Sequence, residues 1–144
     1  MRVGGNIKEP VGRVPLVALW RSEAYARALL PLFFSAAFLA TGPPEAARFV
    51  DRIVANDRAA IYRATQALLD RHDIVHRLGE VRVPTLVLCG SEDAATPLER
   101  SREIAAAIPG ARLEIVAGAG HLSAVEQPDF VSALVRAFLE EVGA

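Results

Sequence analysis

Hydrophobic and polar positions change rhythm twice along the chain. Met1 to about Val14 carries Gly4, Gly5, Pro10 and Gly12 with apolar residues in no period, which predicts a linker over 1–14. From Pro15 to about Arg71 the pattern predicts three or four helices, broken at Pro31, at Thr41-Gly42-Pro43-Pro44 and at Asn56-Asp57. Within that stretch Ala47, Val50, Ile53 and Val54 recur at spacings of three and four, as do Ile61, Ala64, Leu68 and Leu69. Such spacing places each set on one stripe of an amphipathic helix. The rhythm changes again at Val81, where VRVPTLVLCG is a short aliphatic and β-branched run between Pro84 and Gly90. It predicts a strand over Thr85–Cys89, nearly continuous in apolar character as expected of a strand covered on both faces of a parallel sheet. Pro97 to Ile108 reads as a helix with Thr96 as its cap, Arg112 to Val116 as a second strand, and Pro128 to about Val142 as a last helix. The inner stripe of that last helix is expected at Phe130, Leu134, Ala137 and Phe138. The whole predicts an α/β chain in which a helical segment, 15–78, precedes a βαβα unit with two parallel strands, 79–144.

Composition narrows the classes of function. The 144 residues carry 16 Lys and Arg against 17 Asp and Glu, so no basic face is large enough to hold a nucleic acid. The longest nearly apolar stretch, Ala28 to Ala40, is interrupted by Pro31 and Ser35 and falls short of the roughly 20 residues that span a bilayer. No membrane span is expected. The start MRVGGNIKEP lacks an apolar signal core, and the single cysteine, Cys89, rules out an internal disulfide; a reducing cytoplasm is the expected setting.

The chemistry concentrates in two loops, Gly90 to Pro97 after the first strand and Gly118 to His121 after the second. Both lie at carboxyl ends of strands, the edge of an open parallel sheet where ligands and reactive groups gather. Adjacent strands stand about 4.8 Å apart, so a carboxylate on one loop can bond an imidazole on the other. That bond would orient His121 and support its cationic form, making it a general base with Asp93 as its acid partner. Glu92 competes with Asp93 for that role. Taken singly, Asp93 reads as a loop cap and His121 as a turn residue. Their joint placement, 28 positions apart on consecutive strand exits, favours the acid and base pair.

Elsewhere HDIVH superficially resembles a zinc-binding helix through His72 and His76, but the sequence supplies no third ligand, and it reads instead as a helix C-terminus. No metal site is expected, and the glycines at 4 and 5 form no phosphate-binding motif.

The segments VPTLVLCGSEDAATP and IPGARLEIVAGAGHLSAVEQPDFVSALVRAFL resemble the acid loop, histidine loop and last helix of the α/β-hydrolase fold superfamily, in particular its esterases and lactonases of the 3-oxoadipate enol-lactonase type. The resemblance implies a partial α/β-hydrolase fold. Asp93 matches the triad acid, His121 the triad base, and Glu126 and Pro128 the usual lead into the final helix. It further implies that 15–78 is a mobile helical cap over the site and that ester or lactone substrates are hydrolysed by acyl transfer without a cofactor. Beneath that cap Trp20 and Phe34 read as pocket wall or, as aromatics at helical spacing, as cap core, and Leu122 is expected in the pocket from its place next to His121.

One departure is large. The family's nucleophile stands in G-x-S-x-G, and no serine of this chain lies in that motif. Loss of a serine nucleophile lowers kcat about 10⁶-fold in a serine protease, so the chain is expected to be inactive alone. A bare two-stranded parallel unit predicts self-association or docking onto a missing N-terminal hydrolase half. The alternative is a catalytically inactive fragment or a partner-docking module.

Overall fold

The computed structural model of the chain describes residues 22–143, in which five helices precede an alternation of strands and helices. The helical segment holds α1 (Glu23–Ala28), α2 (Leu30–Phe33), α3 (Ala36–Ala40), α4 (Pro44–Ala55) and α5 (Arg58–Leu69). Short polar side chains open three of them, because an oxygen at the cap satisfies an amide that the helix itself leaves unpaired. Ser22 accepts from the Tyr25 amide at 3.3 Å, Ser35 from Phe38 at 3.3 Å, and Asp57 from Ala60 at 2.7 Å. α4 instead starts with Pro44, whose fixed φ suits the first helical position. α1 packs on α4, burying Ala26 and Val50. Beside them Phe33, Phe34, Phe38 and Phe49 cluster with ring centroids 5.0–5.5 Å apart.

The second part runs through a 3₁₀ turn (Val75–Glu80), β1 (Leu86–Gly90), α6 (Leu98–Ala107), β2 (Arg112–Val116), α7 (Ser123–Glu126) and α8 (Pro128–Val142). The strands pair in parallel with Leu86 opposite Arg112 and Gly90 opposite Val116. α6 packs on both strands, and Val116, Ala119 and Val131 form a small core with Leu88 against it. This is the architecture the pattern predicts: helices, then a βαβα unit with two parallel strands.

Several expectations need correction. The first strand is displaced by one residue, because the amide after Gly90, that of Ser91, still bonds the Val116 carbonyl at 3.0 Å and carries the ladder past Cys89. α6 begins at Leu98 with Pro97 in the cap position and no side-chain capping bond; Thr96 does not cap it. On α8 the covered residues are Val131, Leu134 and Phe138, whereas Phe130 is 48% exposed and Ala137 is exposed too. Each lies one residue, about 100° of helix rotation, from the covered stripe. Ala46 rather than Ala47 is buried on α4.

On α5 Ile61 is half-covered, but Ala64, Leu68 and Leu69 are exposed, since no described element covers the last turns. α5 also stops at Leu69, short of the HDIVH segment. The Asp73 carboxylate accepts from the Val75 amide at 2.8 Å, a local turn that restarts the chain as the 3₁₀ turn. His72 therefore lies outside any helix and His76 within that turn, so neither forms the expected helix C-terminus. Among the described residues no helix is long and apolar enough to cross a membrane.

Candidate active site

The loops leaving β1 and β2 are laced together before any side chain reaches out. The amides of Ser91 and Glu92 donate to the carbonyls of Val116 and Ala119 at 3.0 and 2.9 Å, and the Gly118 amide donates to Ser91 Oγ at 2.8 Å. Gly118 turns the chain with φ of +70°, a conformation that glycine adopts without strain. Gly90 has no room for a side chain: a Cβ there would stand 2.2 Å from the carbonyl oxygens of both Ala119 and Gly120. This contact seats the histidine loop directly on the end of β1.

On that platform Asp93 and His121 meet. Asp93 Oδ2 lies 2.9 Å from His121 Nδ1, with the carboxylate side chain 5% exposed and the imidazole 34% exposed. Oδ1 accepts from the amides of Ala95 at 2.9 Å and Thr96 at 2.8 Å, and Oδ2 also accepts from the Thr96 hydroxyl at 2.8 Å. All four strong acceptor directions of the carboxylate are thus in use. Burial works against the charge on Asp93, but the Thr96 amide, the His121 hydrogen bond and the Thr96 hydroxyl hold its carboxyl below the usual carboxylate value. Glu92, the competing acid, has an exposed side chain, and only its backbone amide takes part in the lacing.

Three contacts at this site were not legible in the sequence. Thr96 touches both partners, its Oγ1 being 3.2 Å from His121 Nδ1, and this engagement is why it does not cap α6. The ring of Phe33 meets the imidazole edge-on with centroids 5.6 Å apart. Glu126 bonds the Gly120 amide at 2.9 Å, one residue before His121. A Thr-Pro pair ahead of a helix is a signal for a cap as much as for a site, and the spacing of Phe33 within an unbroken apolar run carries no direction.

The other residues expected to line a pocket are placed unequally. Leu122 is half-buried beside His121, and its amide donates to the Phe33 carbonyl at 2.9 Å. Phe34 is 3% exposed among Phe38 and Phe49, and Trp20 lies outside the described residues. A shallow groove at Ile74, Arg77, Leu78, Glu80 and Val81 contains neither Asp93 nor His121. Among the described residues no three or more His, Cys, Asp and Glu side chains are grouped to hold a metal ion.

Chemically, a carboxylate bonded at Nδ1 favours the tautomer with its proton there and leaves the Nε2 lone pair to take one. Among the described residues nothing hydrogen-bonds to Nε2.

A family model described as the alpha/beta hydrolase family matches residues 4–134. The fold superposes on a thermophilic esterase from Thermogutta terrifontis with a TM-score of 0.80 and 26% identity, covering 90% of this chain and 48% of that one. It superposes on the enol-lactonase from Burkholderia xenovorans LB400 with a TM-score of 0.75 and 32% identity, covering 88% and 49%. In sequence the chain is 29% identical to RutD of Pseudomonas syringae pv. syringae (strain B728a) over 119 residues, 81% of this chain and 46% of that protein. It thus spans about half the length of each.

Proposed function

The chain belongs to the alpha/beta hydrolase family, and from that premise we propose that it supplies the acid and base of a serine hydrolase, Asp93 and His121, acting on ester or lactone carbonyls. The observation that carries this reading is the 2.9 Å contact between Asp93 Oδ2 and His121 Nδ1 across two laced loops at the carboxyl ends of parallel strands. In the reaction a serine hydroxyl attacks the carbonyl carbon while His121 Nε2 takes its proton. The carbon–oxygen bond to the leaving group breaks as His121 returns that proton to the departing oxygen. Water then attacks the acyl carbon, giving a proton to His121, which returns it to the serine oxygen as the acyl–serine bond breaks. Asp93 holds the imidazole and stabilises its cationic form in both halves.

The 144 residues contain no G-x-S-x-G, so we assign the nucleophile to an N-terminal hydrolase half outside these residues, packed against them. In this reading 15–78 serves as the cap, with Leu122 in its pocket wall and Phe34 packed in the aromatic cluster behind it, and 79–144 completes the core. The absence of any disulfide partner for Cys89 fits a cytoplasmic setting.

The test is intact-mass analysis after fluorophosphonate treatment, with the chain alone and mixed with an N-terminal half carrying G-x-S-x-G. No adduct on the chain alone and a serine adduct on mixing, lost in His121→Ala, is the expected result. An adduct on this chain alone would overturn the assignment of the nucleophile. Binding without labelling would favour the second reading, a docking module without catalysis, for which the exposed Tyr62, Leu68, Leu69 and Ile74 provide the surface.

A further inference from the structure

We propose that Glu126 is a positioning residue that locks the helical segment to the histidine loop and thereby fixes the imidazole of His121. The inference rests on the reading of Asp93 and His121 as an acid and base pair, but its geometry is independent of any reaction. Glu126 ends α7, and its carboxylate reaches 91 residues back along the chain. Oε1 accepts from the Ser35 amide at 3.0 Å and from the Gly120 amide at 2.9 Å, while Oε2 accepts from the Ser35 hydroxyl at 2.5 Å. Ser35 is itself buried, so this hydroxyl and these amides have no ready exchange with water.

The three donors lie on the two segments that flank the imidazole. Gly120 precedes His121, and Ser35 follows Phe33 and Phe34, of which Phe33 lays its ring edge-on against the imidazole. The Leu122 amide bonds the Phe33 carbonyl on the other side of His121. The two backbones approach so closely that a Cβ on Gly120 would stand 2.7 Å from the Ser35 nitrogen and 2.8 Å from the Phe34 carbonyl carbon. Two backbone segments cannot meet at that distance with both amides unpaired, and a single carboxylate oxygen between them satisfies both. Without it one segment must move to find another acceptor, and either movement shifts a neighbour of the imidazole. Two of the contacts that set His121 in place, Phe33 on one face and the 120–121 backbone, therefore hang on one side chain.

The test is solution NMR on the full chain. In wild type the Gly120 amide is expected to exchange slowly and His121 to show a proton on Nδ1, held by Asp93. Glu126→Ala is expected to speed Gly120 exchange roughly tenfold or more and to shift or broaden the Nδ1 proton signal. Glu126→Gln keeps an oxygen for the two amides and is expected to restore both. Val131→Ala, a core change on α8, controls for lost stability and should leave the imidazole signal in place. Wild-type imidazole and Gly120 behaviour in folded Glu126→Ala, or the same losses in Val131→Ala, would overturn the proposal. Should Glu126→Ala not fold, Glu126→Asp, whose carboxylate falls one methylene short of the two amides, carries the test: an unshifted imidazole signal overturns the proposal, and a shifted one supports it. These readouts need no nucleophile. A failed labelling experiment beside a confirmed Glu126 effect would sink the proposed reaction and leave the positioning role standing.

Discussion

Asp93→Asn separates the catalytic reading of the acid loop from a purely structural one. If Asp93 only shaped its loop, asparagine would serve nearly as well, because its carbonyl oxygen retains the bonds from the Ala95 and Thr96 amides at 2.9 and 2.8 Å. The other oxygen becomes an NH₂, a donor where an acceptor stood. It faces Thr96 Oγ1 at 2.8 Å and His121 Nδ1 at 2.9 Å, and both contacts survive only if their polarity reverses. The threonine hydroxyl can rotate and accept. The imidazole must move its proton from Nδ1 to Nε2, which removes the lone pair that would take a proton from a nucleophile. Stability should fall by only about 1–3 kcal/mol, the worth of a hydrogen bond to a charged group. Catalysis in the complex with a nucleophile-bearing half should fall by about 10⁴-fold, as in a serine protease given the same change, equivalent to about 5.5 kcal/mol in the barrier. Long-range ¹⁵N correlation spectra at alkaline pH, where imidazole is neutral, report which ring nitrogen carries the proton, and urea unfolding reports the stability. Retention of the Nδ1 proton in folded Asp93→Asn, or an Nε2 proton already in wild type, would refute the reasoning.

Three further outcomes follow from the same geometry. Because the Asp93 carboxyl is held below its usual value in the folded chain, its contribution to stability is complete above the unfolded carboxylate pKa of about 3.9 and is lost as pH falls through the folded value. The urea midpoint of wild type should therefore fall more steeply on acidification than that of Asp93→Asn, and parallel profiles would count against the assignment. Thr96→Val removes the hydroxyl from both partners at nearly constant shape; stability should drop by about 1–3 kcal/mol and the Asp93 carboxyl should titrate higher in ¹³C-detected NMR, an unchanged titration contradicting its role. Gly90→Ala places a methyl 2.2 Å from two backbone oxygens, which no side-chain rotation relieves, so a loss of about 3 kcal/mol or more in urea unfolding is expected, and a near-neutral result would mean the histidine loop does not rest on β1.

Which parts were legible in the sequence follows from how far each signal reaches. The strands were readable because LVLCG is a short apolar run and RLEIV a short alternating one, each flanked within a few residues by Pro or Gly, and such local signals set an element to within a residue or so. Asp93 and His121 could be paired because consecutive parallel strands bring their outgoing loops to one rim whatever the details between. Thr96 was misread because a hydroxyl before Pro97 serves a helix cap and a carboxylate with the same local sequence. Phe130 was misread because the stripe of α8 is apolar on both flanks, and one residue of rotation is invisible when Phe130 and Val131 are both hydrophobic. Glu126 presented a harder case. Its match to a familiar lead into the last helix marked the position, but its partner Ser35 lies 91 residues away, and no local pattern encodes a contact of that separation.

The same reach argument bears on what could complete the site. Asp93 draws all four of its hydrogen bonds, and Glu126 all three, from residues of this chain, so the acid and base are held in place without contribution from another segment. A nucleophile supplied by an N-terminal hydrolase half, added as a separate polypeptide in the mixing experiment, would meet a base already oriented. What must then be supplied is binding energy. Tyr62, Leu68, Leu69 and Ile74 are each a little over half exposed, and covering them would contribute about 3–6 kcal/mol together. Association itself opposes this by roughly 4–15 kcal/mol in lost translational and rotational freedom. Those four side chains alone therefore give at most a weak dimer of this chain. A stable complex must also bury the open edges of the two-stranded sheet and the outer face of α8, where Phe130 and Leu139 are exposed. Strands alone pair with strand edges, so a partner able to do this brings further strands of its own. On this argument sedimentation velocity should show a tighter complex with a strand-bearing hydrolase half than between copies of the chain, and self-association as tight as the heterodimer would show that a second copy covers the sheet edges and apolar faces equally well.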